Sequence, residues 1–250
     1  MVNLRDENVL RELNLYPLWV RRNIPTPDTG EVNSVAAEAD HFAAPLSAEL
    51  IPPVSQDQRI SVPGVDVAKL DWPELGQKVH ECVSCKLRAG CAQPILGSGD
   101  EKAEWLVIGE DPGVDENASG KLLENMLAAI QLKRGNKVYQ TNIVKCTPTE
   151  QHTLGADEIG QCLPYLHRQI SLIQPKLIIV LGKIAASALL GKEGTLASLR
   201  GSVHDYQGIP VIITYHPAYL LRMPAEKAHA WQDLCLAVAT MKLSKEKNEQ

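Results

Sequence analysis

The residues best equipped for chemistry fall in three short segments. Glu110 and Asp111, with Asp115 and Glu116 close behind, follow the apolar run WLVIG. Asn142 stands in Thr141-Asn142-Ile143-Val144-Lys145-Cys146, and His216 opens His216-Pro217-Ala218-Tyr219-Leu220-Leu221-Arg222. Carboxylates can place water or stabilise a cation, an amide offers both donor and acceptor, and an imidazole can hydrogen-bond an oxygen on which negative charge develops. Two plainer roles compete: Asp111 and Asp115 could cap the helix that follows, and His216 could be a satisfied histidine at a strand end. Cysteines form a second group. Cys82 and Cys85 are spaced C-x2-C, and fifteen residues separate Cys146 from Cys162. The second pair is too wide for a zinc ribbon. The amino terminus has no apolar stretch behind a basic start, which argues against secretion and so against disulfides. On spacing alone, metal ligation and plain buried thiols both stay open. Cys91 and Cys235 fall outside the pattern and read as small core residues.

These residues need a frame to bring them together. Trp105–Glu110, Val138–Cys146 and Lys176–Gly182 read as strands. Lys121–Leu132, Ala156–Ile173 and the stretch ending at Leu190 read as helices between and after them. Ser202–Tyr206 and Pro210–Tyr215 suggest a hairpin, and Ala225–Met241 a last helix. Strands alternating with helices predict a three-layer αβα fold on a central, mostly parallel four-stranded sheet. In such a sheet ligands bind beyond the carboxyl ends of the strands. The acidic cluster, the asparagine and the histidine all sit at those ends.

Composition narrows the field further. The chain is 44% hydrophobic and 22% charged, which suits a buried core. No apolar run approaches the ~18 residues of a membrane span. Residues 1–72 hold six Lys/Arg against eleven Asp/Glu, whereas residues 73–250 hold nineteen of each. A nucleic-acid partner would thus have to be held by a local basic surface. Aromatic residues make up only 4%, with Phe42 the single phenylalanine. Residues 1–22 read as an amphipathic partner-docking peptide. Residues 23–72, rich in proline and acid, read as a disordered linker. Residues 73–243 form the expected domain, and residues 244–250 a charged tail.

The motifs GEDPG (109–113), TNIVKC (141–146), LGK (181–183) and HPAYLLR (216–222), with Cys82 and Cys85 ahead of them, resemble the uracil-DNA glycosylase superfamily, above all its iron–sulfur branch, family 4. The resemblance implies that Cys82, Cys85, Cys146 and Cys162 ligate a [4Fe-4S] cluster, and that Asn142 reads a flipped uracil. It implies that His216 stabilises the departing base. Pro217, Leu220, Leu221 and Arg222 would form the loop inserted into DNA. Asp111 replaces the family's usual glycine and leans toward the GQDP pattern of the other main branch, in which an aspartate orients the attacking water. Glu110 and Glu116 are further candidates for placing water or stabilising the cation.

Two features pull the other way. The family's stretch after the acidic cluster is shortened here, and the phenylalanine that stacks on uracil is lost with it; Tyr139 and Tyr215 are candidate substitutes. Residues 5–22 resemble the amino-terminal peptide of the psi subunit of bacterial DNA polymerase III, which docks on the clamp loader. Leu10, Leu13, Leu15, Arg21 and Arg22 match its spacing, and Trp19 is displaced by one place. Two readings follow. One is a glycosylase acting on uracil in DNA. The other is a weak or inactive accessory that binds clamp-loader subunits. Either implies a cytoplasmic, nucleoid-associated bacterial protein.

Overall fold

The computed structural model describes residues 66–112, 118–147 and 154–248, with side chains as far as Ser244. Leu10, Leu13, Leu15, Trp19, Arg21 and Arg22 lie outside the described residues, as do Asp115 and Glu116. Six strands form one sheet in the order β1-β3-β2-β4-β6-β5. They are β1 (Ser98–Gly99), β2 (Trp105–Gly109), β3 (Val138–Asn142), β4 (Leu177–Leu181), β5 (Val203–Tyr206) and β6 (Ile209–Thr214). The four central strands run parallel, and β1 and β5 pair antiparallel at the two edges. The expected four-stranded sheet is thus the centre of a six-stranded one. β1 is too short to leave an alternating pattern in the sequence, and β5 is the outer arm of the expected hairpin.

Every residue of β2 and β4 is buried, as befits parallel strands covered on both faces. Alternate side chains feed two cores. On one face Leu106, Ile108, Ile178, Val180, Val211 and Ile213 meet helices α4 (Ala156–Ile173) and α5 (Lys183–Leu190). On the other, Val107, Ile179, Leu181 and Ile212 meet α3 (Ala118–Ala129) and α8 (Lys227–Asn248). A smaller cluster packs α1 (Trp72–His80) on Tyr165 of α4 through Leu75 and Val79. Short helices complete the order: α2 (Leu87–Gly90), α6 (Leu196–Leu199) and α7 (Pro217–Arg222).

Both ends of the folded domain differ from the sequence reading. Residues 66–72, expected as linker, belong to the fold. Val67 and Leu70 are buried in the cluster with Tyr165. Asp71 and Glu74 form a reciprocal capping box that starts α1. Two apolar residues in a polar stretch suffice here because Tyr165 supplies a surface to bury them. At the other end, α8 continues to Asn248, into the expected tail.

Candidate active site and cysteine cavity

The carboxyl end of β2 meets that of β3 with Gly109 opposite Asn142. The pairing runs on past the strands: Ile143 N donates to Gly109 O at 3.0 Å and Val144 N to Glu110 O at 3.2 Å. Thr147 Oγ1 donates to Pro112 O at 3.0 Å. The acidic turn is therefore held beside the asparagine loop. With its amide oriented by its neighbours, Asn142 Nδ2 donates to Thr141 O and Asp111 O, each at 3.1 Å. That leaves Oδ1 as the amide's acceptor. A Cβ at position 109 would collide with this amide, so Gly109 is needed for space.

The two described carboxylates have different surroundings. Glu110 accepts from Ile184 N in the first turn of α5 at 3.1 Å. Burial pushes its carboxyl up, the Ile184 contact pulls it down, and Asp111 adds to the rise. Its seat is made by Gly182, where φ is +95° and any Cβ would strike the carboxylate. Glu110 thus anchors α5. Asp111 is the carboxylate coupled to the imidazole: burial raises it and His216 lowers it.

His216 follows β6 and caps α7. Its Nδ1 accepts from Ala218 N at 3.2 Å, so in the neutral ring the proton sits on Nε2, where it can be donated. Burial pushes the ring's pKa down, Asp111 pulls it up, and Arg222 lowers it again. Beneath the loop, Tyr215 stacks on Tyr219 with centroids 5.2 Å apart, and the Arg200 guanidinium lies 5.7 Å above Tyr215. Arg200 makes a two-pronged bond to Asp233 on α8, at 3.0 and 2.9 Å.

The proposed insertion loop divides by exposure. Pro217 and Leu220 are buried, and Leu220 has no exposed surface, because α7 turns it into the core shared with α3 and α8. Leu220 is therefore not a wedge in this conformation. Leu221 is 42% exposed and Met223 47%, with exposed Arg222 between them. Sequence reasoning passed over Met223 because it lies just past the motif. The tyrosines also separate. Tyr139 and Asn142 are three residues apart on β3 and so face opposite sides of the sheet. Tyr139 packs on Trp72, 5.4 Å away, and so cannot replace the lost phenylalanine.

Cys82, Cys85, Cys146 and Cys162 line one cavity with Val79, Arg88, Pro94, Lys145 and Tyr165. The fold gathers them from the end of α1, the entry to α2, the loop after β3 and the interior of α4. No three His, Cys, Asp or Glu side chains among the described residues are grouped to hold a single metal ion. Four thiols disposed around a space instead fit the donor set of a polynuclear iron–sulfur cluster. Cys91 is buried, as expected, but Cys235 is exposed on α8 rather than in the core.

A doubly covered parallel sheet thus carries an amide, an imidazole and a carboxylate at its carboxyl edge, where open α/β sheets bind their ligands. The chain belongs to the uracil DNA glycosylase superfamily, whose profile matches residues 96–235. It is 35% identical over 183 residues to a type-4 uracil-DNA glycosylase of Pyrobaculum aerophilum, covering 67% of this chain and 93% of the relative. The corresponding enzyme of Archaeoglobus fulgidus is 34% identical over 167 residues, covering 60% and 83%. That of Thermotoga maritima is 32% identical over 158 residues, covering 59% and 82%.

Proposed function

We propose that the protein is a type-4-like uracil-DNA glycosylase that hydrolyses the N-glycosidic bond of uracil in DNA. The observation that carries this reading is the convergence of Asn142, Asp111 and His216 at one sheet edge. A flipped base would meet Asn142 Oδ1, which accepts from uracil N3–H; cytosine presents an acceptor at that position and leaves the amide oxygen unpaired. As the bond between C1′ and N1 breaks, its electron pair passes to the base and spreads onto O2, where His216 Nε2–H donates. Asp111 orients a water toward C1′ and takes its proton as the new C–O bond forms. Leu221 and Met223 wedge into the duplex while Arg222 holds phosphate.

Cys82, Cys85, Cys146 and Cys162 would hold a [4Fe-4S] cluster. Bound there, it would supply thiolate–iron bonds that tie α1, the loop after β3 and α4 together. The psi-like accessory reading gains nothing from the relatives, and its docking residues lie outside the described ones. The test is incubation of iron-loaded protein with oligonucleotides carrying one uracil, thymine or cytosine, scored for abasic sites. Excision of uracil with cytosine untouched supports the proposal; no excision of uracil refutes it.

A further inference from the structure

We propose that Lys145 is a positioning residue that couples the cysteine cavity to the base-reading asparagine. The inference rests on the function just proposed and concerns how its two sites communicate. Lys145 is only 2% exposed. Its Nζ donates to Thr141 Oγ1, Asn142 O and Gln169 Oε1, each at 2.7 Å. Burial pushes the Lys145 amine down to about 7, and its three acceptors hold Nζ in one place.

The cysteine cavity is next door. Lys145 lines it together with the four cysteines. Its own peptide runs directly into Cys146, so a cluster held there would fix the backbone from which Lys145 reaches Asn142. Its other end grips the carbonyl of Asn142, the residue whose amide is seated on Thr141 O and Asp111 O. Filling the cavity thus fixes the peptide that carries the base-reading side chain, while α7 and its exposed leucine are untouched.

The test uses iron-loaded wild type, Lys145→Met and Lys145→Arg. It reads iron per chain, affinity for free uracil, and affinity for a duplex carrying an abasic site. Lys145→Met is expected to weaken uracil binding about tenfold, the size of one or two lost hydrogen bonds, with duplex affinity unchanged and Lys145→Arg restoring much of the loss. Chelator-treated wild type should show the same selective loss, and chelation of Lys145→Met should add nothing to it. Unchanged uracil binding, or equal loss of both affinities, overturns the proposal. If Lys145→Met does not fold, Gln169→Met removes one of the three acceptors and is read by the same two outcomes. Wild type that excises no uracil in the assay above sinks the proposed function; wild type that binds iron and excises uracil, beside an unselective Lys145→Met, sinks the coupling alone.

Discussion

At neutral pH the His216 ring is uncharged, because burial outweighs the pull of Asp111, and its Nε2–H is the donor because Nδ1 is occupied. On the proposed function, replacing it with alanine removes one oxyanion donor, so single-turnover uracil excision should fall about 10²–10³-fold while duplex binding persists. Asp111 must be ionised to take a proton, and burial lifts its carboxyl above the ordinary 3.8. Excision should therefore fall as pH drops, along an acid limb lying above that value, and Asp111→Asn should flatten the limb along with the rate. The coupling to His216 makes this limb a property of the pair. These residues are legible in the sequence because each stands in a short motif at a strand end. The division of labour between Glu110 and Asp111 is not, since adjacent carboxylates look alike until one is seen to anchor α5. Lys145 was in view in TNIVKC, but only the fold brings Gln169 and Thr141 to its ammonium.

Elements carry the site as much as residues do. Gly182 gives Glu110 its seat at the start of α5, so Gly182→Ala should cost about 1–3 kcal/mol of stability, read as a lower Tm, and should blunt excision as the acidic turn shifts. Arg200 and Asp233 tie the segment before β5 to α8 beneath the His216 loop. Their side chains are 13% and 0% exposed, so Arg200→Met, which leaves the carboxylate buried and unpaired, should destabilise by about 3–5 kcal/mol in chemical denaturation. The sequence predicts a helix at Ala156–Ile173, and α4 has those bounds, because its periodic apolar face packs directly on the sheet. β1 escaped notice for the opposite reason: two residues at the sheet's edge show no period. Residues 66–72 read as linker because their burial depends on Tyr165, far along the chain.

For the whole molecule, charge and aromatic content set the terms of DNA binding. The net charge of −5 resides in residues 1–72, and the rest of the chain is neutral, so affinity depends on local contacts such as Arg222. Removing that side chain should lower the salt dependence of duplex binding by about one unit of the log–log slope. The scarcity of aromatics remains a deficit at the site: Tyr139 faces away from it, and Tyr215 is engaged by Tyr219 and Arg200. Base capture then falls chiefly to Asn142 and His216. That is the central claim, and release of free uracil tests it most directly. Iron-loaded wild type and an Asn142→Ala, His216→Ala double variant are each mixed in excess with a uracil-containing duplex, and uracil and abasic sites are both quantified. We predict equimolar uracil and abasic sites from the wild type and almost none from the double variant. Equal release from the two proteins, or none from either, would contradict the account.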